Sequence, residues 1–156
     1  MNDDWLNQYF SWYGMETVIM KNKPWLPYLA TNYILRNWPR VFEPQLRVFE
    51  WGSGESTLFF LANGAKIVTI EHDYEWHKTI FSKISATVNY HLIPFEQGEI
   101  GPDKANPAHY KSGSPQLGKV NFKKYASAIE DYGLFDLILI DGMARASCLY
   151  HAFNHV

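Results

Sequence analysis

Arg47-Val48-Phe49-Glu50-Trp51-Gly52-Ser53-Gly54-Glu55-Ser56-Thr57-Leu58-Phe59-Phe60 reads as a strand, a glycine turn and the opening of a helix. Val48 and Phe49 favour a pleated, half-buried strand. Gly52 and Gly54 allow a tight turn and a close approach of backbone to a ligand. From Ser56 onward, Leu58, Phe59, Leu61 and Ala62 fall at helical spacing. A turn of this kind aims backbone N–H groups, and the positive end of a helix dipole, into the crevice above a sheet.

The chain on either side extends the same pattern. Asn63-Gly64 stops the helix, and Lys66 to Glu71 is a second strand, with Ile67, Val68 and Ile70 strongly β-favouring. A helix capped by Asp73 follows, to about Ser85. A third strand spans about Val88 to Ile93. Pro94 to Gly118 is a long segment rich in Gly, Pro and Ser, the composition of a binding loop or lid. A helix over about Phe122 to Asp131, a strand over Phe135 to Ile140 and the start of a last helix complete the series. Strand and helix in alternation imply right-handed crossovers and a mainly parallel sheet. The expected fold is a three-layer α/β, doubly wound, Rossmann-like domain over residues 41–156. Strand 4 is apolar at nearly every position, as a strand covered on both faces should be. Upstream, residues 1–40 read as a helical segment that packs on this core or acts as a lid, the whole forming a single domain. Trp5, Leu6, Tyr9, Phe10, Tyr13, Val18 and Ile19 make an apolar stripe over residues 3–20. Pro27 to Trp38 is the next helix, with Tyr28, Leu29, Tyr33, Ile34 and Trp38 on its buried side and Pro39 as its end.

Composition narrows the function classes. The 156 residues are 47% apolar and 19% charged, a globular balance. A net charge of -2 offers no electrostatic reason to expect nucleic acid or an anionic membrane as partner. Cys148, the single cysteine, cannot form an internal disulfide and fits a reducing compartment. The acidic start lacks the features of a signal peptide, and the run Leu137 to Ile140 is far too short to span a bilayer. The expected location is the cytoplasm.

Three acids stand at strand ends. Glu50 precedes Gly52 by two residues; a dinucleotide fingerprint requires no acid there and would want a third glycine where Ser56-Thr57 follow. Taken alone, the pattern also fits a strand and turn with a solvated Glu50. Glu71 closes strand 2, about 20 residues after the glycine turn, where a carboxylate can accept both hydrogen bonds of a ribose diol. A pyridine nucleotide would want the same acid. Asp141 closes strand 4. Arg145, just beyond it, could hold an acidic acceptor bidentately. His91, His109 and His151 show no metal-ligand spacing, and neither a P-loop nor a nucleophile elbow is present.

Glu50-x-Gly52-Ser53-Gly54 resembles motif I of the class I S-adenosylmethionine-dependent methyltransferases. Ile70-Glu71-His72-Asp73-Tyr74-Glu75-Trp76 and Phe135-Asp136-Leu137-Ile138-Leu139-Ile140-Asp141-Gly142 resemble that family's next strand ends. The resemblance implies S-adenosylmethionine as cofactor. Glu50, Gly52, Ser53, Gly54 and Ser56 would hold its amino-acid end and Glu71 its ribose. His72, Phe95 and Glu96 would lie at the adenine. Asp141 would face the acceptor as the catalytic carboxylate, with Arg145 and Tyr110 binding that acceptor. No metal is implied, because a catechol-type metal site needs further ligands from the next strand region. The expected reaction is methyl transfer to a small-molecule or sugar acceptor, at oxygen. A non-catalytic nucleoside-binding or assembly domain remains open, as does a nicotinamide-dependent oxidoreductase, the latter disfavoured by Glu50 and the missing third glycine. The family's sheet has seven strands; here four are expected, in the order 3-2-1-4. An uncovered apolar strand 4 edge invites pairing with another chain; the expectation is a truncated chain, the alternatives being an edge covered by a partner, as in a homodimer through it, or by the N-terminal helices.

Overall fold

The computed structural model of the protein describes Leu26 and residues 28–41, 45–98 and 100–156. The helical reading of residues 3–20, the loop after it and the reading of Pro27 lie outside the described residues.

Four strands form one parallel sheet in the order β3-β2-β1-β4: β1 Arg47–Trp51, β2 Lys66–Glu71, β3 Asn89–Leu92 and β4 Leu137–Ile140. Among the described residues five α-helices accompany them: α1 Tyr28–Val41, α2 Glu55–Ala62, α3 Tyr74–Phe81, α4 Lys123–Ser127 and α5 Arg145–Ala152. This is the expected Rossmann-like α/β architecture. β1 lies at the centre, with Val48 opposite Ile67 on one side and Leu137 on the other. Four of its five residues are fully buried, which a strand flanked by strands and covered on both faces requires.

Side chains alternate across the sheet and sort into two cores. Phe49, Trp51, Val68 and Ile70 face α4 and α5, and pack with Phe122, Tyr125, Ile129 and Cys148. Val48 and Ile67 face the other way, against Phe59 and Phe60 of α2 and Ile34 of α1. The first core is built on aromatic edges: Phe49 meets Trp51 at 4.6 Å and Phe135 at 5.2 Å between centroids, both T-shaped. Each such ring contributes about 1.5–3 kcal/mol by its burial. Phe49, Trp51, Phe122, Tyr125 and Phe135 are thus structural rings of this core.

Several boundaries differ from expectation. α1 runs two residues past Pro39; a proline there costs one bond to a carbonyl in the preceding turn, which a helix can bear near its end. Leu29 and Tyr33 of α1, expected inside, are 75% and 67% exposed, and the residues turned inward are Thr31 and Ile34. α3 ends at Phe81, and residues beyond it form turns. α4 is one short helix continued by a 3-10 turn, Ala128–Asp131. β4 is half-buried at all four positions, because it is an edge strand whose alternate residues feed the two cores.

The long segment after β3 contains two 3-10 turns, Pro107–His109 and Pro115–Leu117. It is tied down rather than free. Glu96 and Asn121 form an antiparallel bridge, the Phe122 amide donates to the Tyr110 carbonyl at 3.1 Å, and the Ser147 hydroxyl donates to the Pro107 carbonyl at 2.7 Å. The chain steps outward from β1 through β2 to β3, then returns to β4 on β1's other side. That reversal opens a crevice at the carboxyl ends of β1 and β4, where ligands bind in sheets of this kind.

Candidate functional site

The floor of the crevice is a contact between two glycines. Gly52, with φ +87, follows β1; a Cβ there would come within 2.8 Å of the Gly142 Cα and N. Only glycine tolerates both that φ and that approach. The close approach expected toward a ligand is thus made to the backbone after β4. The amides of the turn also differ from expectation. Gly52 N–H donates to the Ile70 carbonyl at 2.9 Å, Ser53 N–H to Glu71 Oε2 at 3.1 Å and Gly54 N–H to Thr57 Oγ1 at 2.9 Å. The turn spends these three donors internally. A Cβ on Gly54 would meet nothing within 4 Å.

Glu50 lies beneath this turn, fully buried rather than solvated. Its carboxyl accepts hydrogen bonds from the hydroxyls of Ser56, of Thr57 at 2.5 Å and of Thr69 at 2.8 Å. It therefore bonds the start of α2 to β1 and β2. Burial pushes its pKa up to about 7, against the pull of those three hydroxyls and with a small further push from Asp141.

Glu71 forms a second hub, at the surface of the crevice. Oε2 accepts from the Ser53 amide and hydroxyl, both at 3.1 Å. Oε1 accepts from the His72 amide at 2.7 Å and the Asp73 amide at 2.9 Å. His72 Nδ1 lies 2.8 Å from Oε1, an ion-pair distance whose angle makes no hydrogen bond. Burial pushes the Glu71 carboxyl up, but the His72 ring and the two amides outweigh it and hold it below the ordinary carboxylate value. The Ser53 hydroxyl also sits 2.6 Å from the Tyr90 hydroxyl, and Trp76 Nε1 donates to the Ser53 carbonyl at 2.7 Å. Trp76 is itself placed by the helix cap, since its amide donates to Asp73 Oδ1 at 2.8 Å.

Above these residues is a cleft of about 600 Å³. Gly52, Ser53, Gly54, Ser56, Glu71, His72 and Asp141 all line it, so the structure brings most of the sequence-derived residues together. Among the described residues, four acids line it, Glu55, Glu71, Asp73 and Asp141, and no lysine or arginine does. Asp141 Oδ1 accepts from Arg145 Nη2 at 3.0 Å, while Arg145 Nε donates to the Gly142 carbonyl at 3.1 Å. Among the described residues, no three His, Cys, Asp or Glu side chains are grouped to hold a metal ion.

Five of the sequence-derived residues are not on the cleft wall. Glu50 is below it. Arg145 touches it only through Asp141 and Gly142. Phe95 is 38% exposed, with its ring edge-on to Phe122 at 6.1 Å. Glu96 pairs with Lys124 at 2.8 Å. Tyr110 stacks on His151, whose Nδ1 lies 2.6 Å from Glu130 Oε1. Glu55, Asp73, Trp76, Leu117, Gly142 and Met143 complete the wall instead. Trp76 was findable as the residue three after the cap Asp73. Leu117 carries no local signal, because a 3-10 turn far along the chain delivers it.

No protein-family model matches the chain, and no curated protein does. Among solved structures it is similar to the MycE methyltransferase from the mycinamycin biosynthetic pathway, solved in complex with Mg, SAH and mycinamycin VI. That similarity has a TM-score of 0.37 at 19% identity and covers 86% of this chain and 32% of that one. The chain thus spans about a third of the length of that solved chain.

Proposed function

We propose that this chain binds S-adenosylmethionine in the cleft and transfers its methyl group to a small-molecule or sugar acceptor, at oxygen. One observation carries the reading: a cleft at the switch point of a parallel sheet is lined, among the described residues, by four acidic residues and no lysine or arginine. That charge suits a cofactor with a sulfonium and an ammonium and no phosphate. A dinucleotide's pyrophosphate wants free turn amides, and those of residues 52–54 are spent within the protein. The size, about 600 Å³, is within the range of about 300–1,000 Å³ usual for small-molecule sites.

When bound, the cofactor supplies an electrophilic methyl on its sulfonium. The protein's part is to hold and orient. Glu71 is the acceptor for a ribose hydroxyl. All its lone pairs are engaged at rest, and turning the Ser53 hydroxyl fully to Tyr90 frees one on Oε2. Glu50 acts from below, keeping the glycine turn and the start of α2 in register without touching ligand. Asp141, oriented by Arg145, faces the acceptor at the β4 end of the cleft. Alignment of two bound reactants is the main source of rate in such a site.

Calorimetric titration with S-adenosylmethionine and, separately, NADH tests this. The former binds and NADH does not. Glu71→Gln weakens binding by about tenfold, or about 1.4 kcal/mol, the size of one charged hydrogen bond. Binding of NADH, or no binding of S-adenosylmethionine by a folded chain, overturns the reading.

A further inference from the structure

Beside the acidic cleft is a second cavity, of about 470 Å³, and its charge is opposite. Lys104, Lys111 and Arg145 line it, with Ser112 and Ser114, and among the described residues no Asp or Glu does. In a chain with 16 acids to 14 bases, that segregation is not the average of the surface. The two cavities share Gly142 and Met143, so the basic one opens onto the β4 end of the cleft, where Asp141 stands.

The basic wall is held in place. Ser112 is 2% exposed; its hydroxyl donates to Met143 Sδ at 3.1 Å and accepts from the Ser114 amide at 3.0 Å. This fastens the loop to Met143, one of the two residues common to both cavities. Lys111 Nζ donates to the Pro102 carbonyl at 2.9 Å, which fixes the ammonium and leaves two of its three donors. The Lys104 side chain lies over Gly113, where a Cβ would meet its Cδ at 3.7 Å and its Nζ at 3.9 Å. Arg145 gives Nη2 bonds to Asp141 Oδ1 at 3.0 Å and to the Asp141 carbonyl at 3.5 Å, and its Nε to Gly142, and keeps the two donors of Nη1.

The geometry points to this cavity as an anion subsite for the acceptor: the molecule methylated carries a carboxylate or phosphate, which Lys104, Lys111 and Arg145 hold while the accepting group reaches Asp141. The inference rests on the methyltransferase reading for the word acceptor. Its physical content, a basic pocket that selects anionic over neutral ligands, stands separately. Cofactor and acceptor would then enter adjoining cavities of opposite sign, each disfavouring the other's ligand.

The test uses glucose, glucuronate and glucose 6-phosphate as neutral, carboxylate and phosphate probes. Each is titrated into the chain by amide NMR, with and without saturating S-adenosylhomocysteine. At least one anionic sugar shifts the amides of Ser112, Gly113, Ser114 and Arg145 saturably, and glucose binds at least fivefold more weakly. The comparison of the two anionic sugars tells carboxylate from phosphate. Lys104→Gln/Lys111→Gln weakens the anionic sugar by at least fivefold and leaves S-adenosylmethionine binding unchanged. Lys104→Glu, a single change at an exposed position, weakens it in the same direction should the double variant fold poorly. Equal binding of glucose, shifts scattered away from residues 112–114 and 142–146, or variants that bind like the parent overturn the subsite. A chain that binds the anionic sugar but not S-adenosylmethionine refutes the methyltransferase reading and keeps the pocket. The converse result refutes the pocket alone.

Discussion

Glu50→Gln replaces a fully buried acid by a neutral group of the same shape, and its effect on stability depends on pH. The carboxyl has an ordinary pKa of 4.5 and is pushed up to about 7 in the fold, first by burial. Below pH 4.5 it is protonated whether the chain is folded or not, and no charge is buried. From there upward the unfolded chain ionises and the folded one does not, so stability falls with pH. Near pH 7 the folded carboxyl ionises too and the loss levels off. The gap from 4.5 to about 7, at about 1.4 kcal/mol per pH unit, comes to about 3 kcal/mol. Between pH 5 and pH 8 about 2–3 kcal/mol of it is lost. Glutamine has no such titration, so the variant gains that amount on the parent between the two pH values. Other titrating groups are common to both chains and cancel. Glu71 in particular acts in a different window: its lowered pKa contributes stability above 4.5 that is lost as pH falls through the folded value. Urea unfolding at pH 5 and pH 8, followed by circular dichroism and tryptophan fluorescence, measures the difference directly. Parallel pH dependence of parent and variant refutes the claim that Glu50 carries its proton into a buried site.

Two further substitutions probe the floor of the crevice. Gly52→Ala costs at least about 2 kcal/mol, from a left-handed φ and from a Cβ pressed on the Gly142 backbone, whereas Gly54→Ala, extended and facing open space, costs about 1 kcal/mol or less. Urea midpoints of equal size for the two refute the steric account. Tyr125→Phe removes a buried hydroxyl that abuts Gly142 without a hydrogen bond; it raises stability by about 1 kcal/mol, and a thermal melt showing a loss of that size means the hydroxyl has a partner.

The local order of elements is legible in the sequence alone. Val48-Phe49 and Ile67-Val68-Thr69-Ile70 are β-favouring runs bounded by glycine turns, and both strands have the expected ends. Asp73 was readable as a cap because capping depends on three consecutive peptide units and one side chain. The strand order followed from the alternation of strand and helix, since crossover handedness leaves few ways to wind such a chain. Glu71, Ser53 and Asp141 were identifiable for the same reason: a residue at the carboxyl end of a strand in this topology faces the crevice.

Other features depended on which segments meet. Leu29 and Tyr33 share α1's apolar stripe with Ile34, but the sheet covers only the side that carries Ile34. Phe95 and Glu96 follow β3 as a site residue would, yet Phe122 and Lys124 from the next helix engage them. Glu50 occupies a motif position associated with ligand, and the hydroxyls of Ser56, Thr57 and Thr69 enclose it below the turn instead. The sequence by itself determined the strands, the turns, the winding of the sheet and the crevice, because propensity, capping and side-chain periodicity act within a few residues. The tertiary structure alone decided that Gly52 meets Gly142, that the turn's amides are spent, and that Lys104, Lys111 and Arg145 share one wall. Burial and charge clustering arise from contacts between residues far apart in the chain, and no local pattern encodes them.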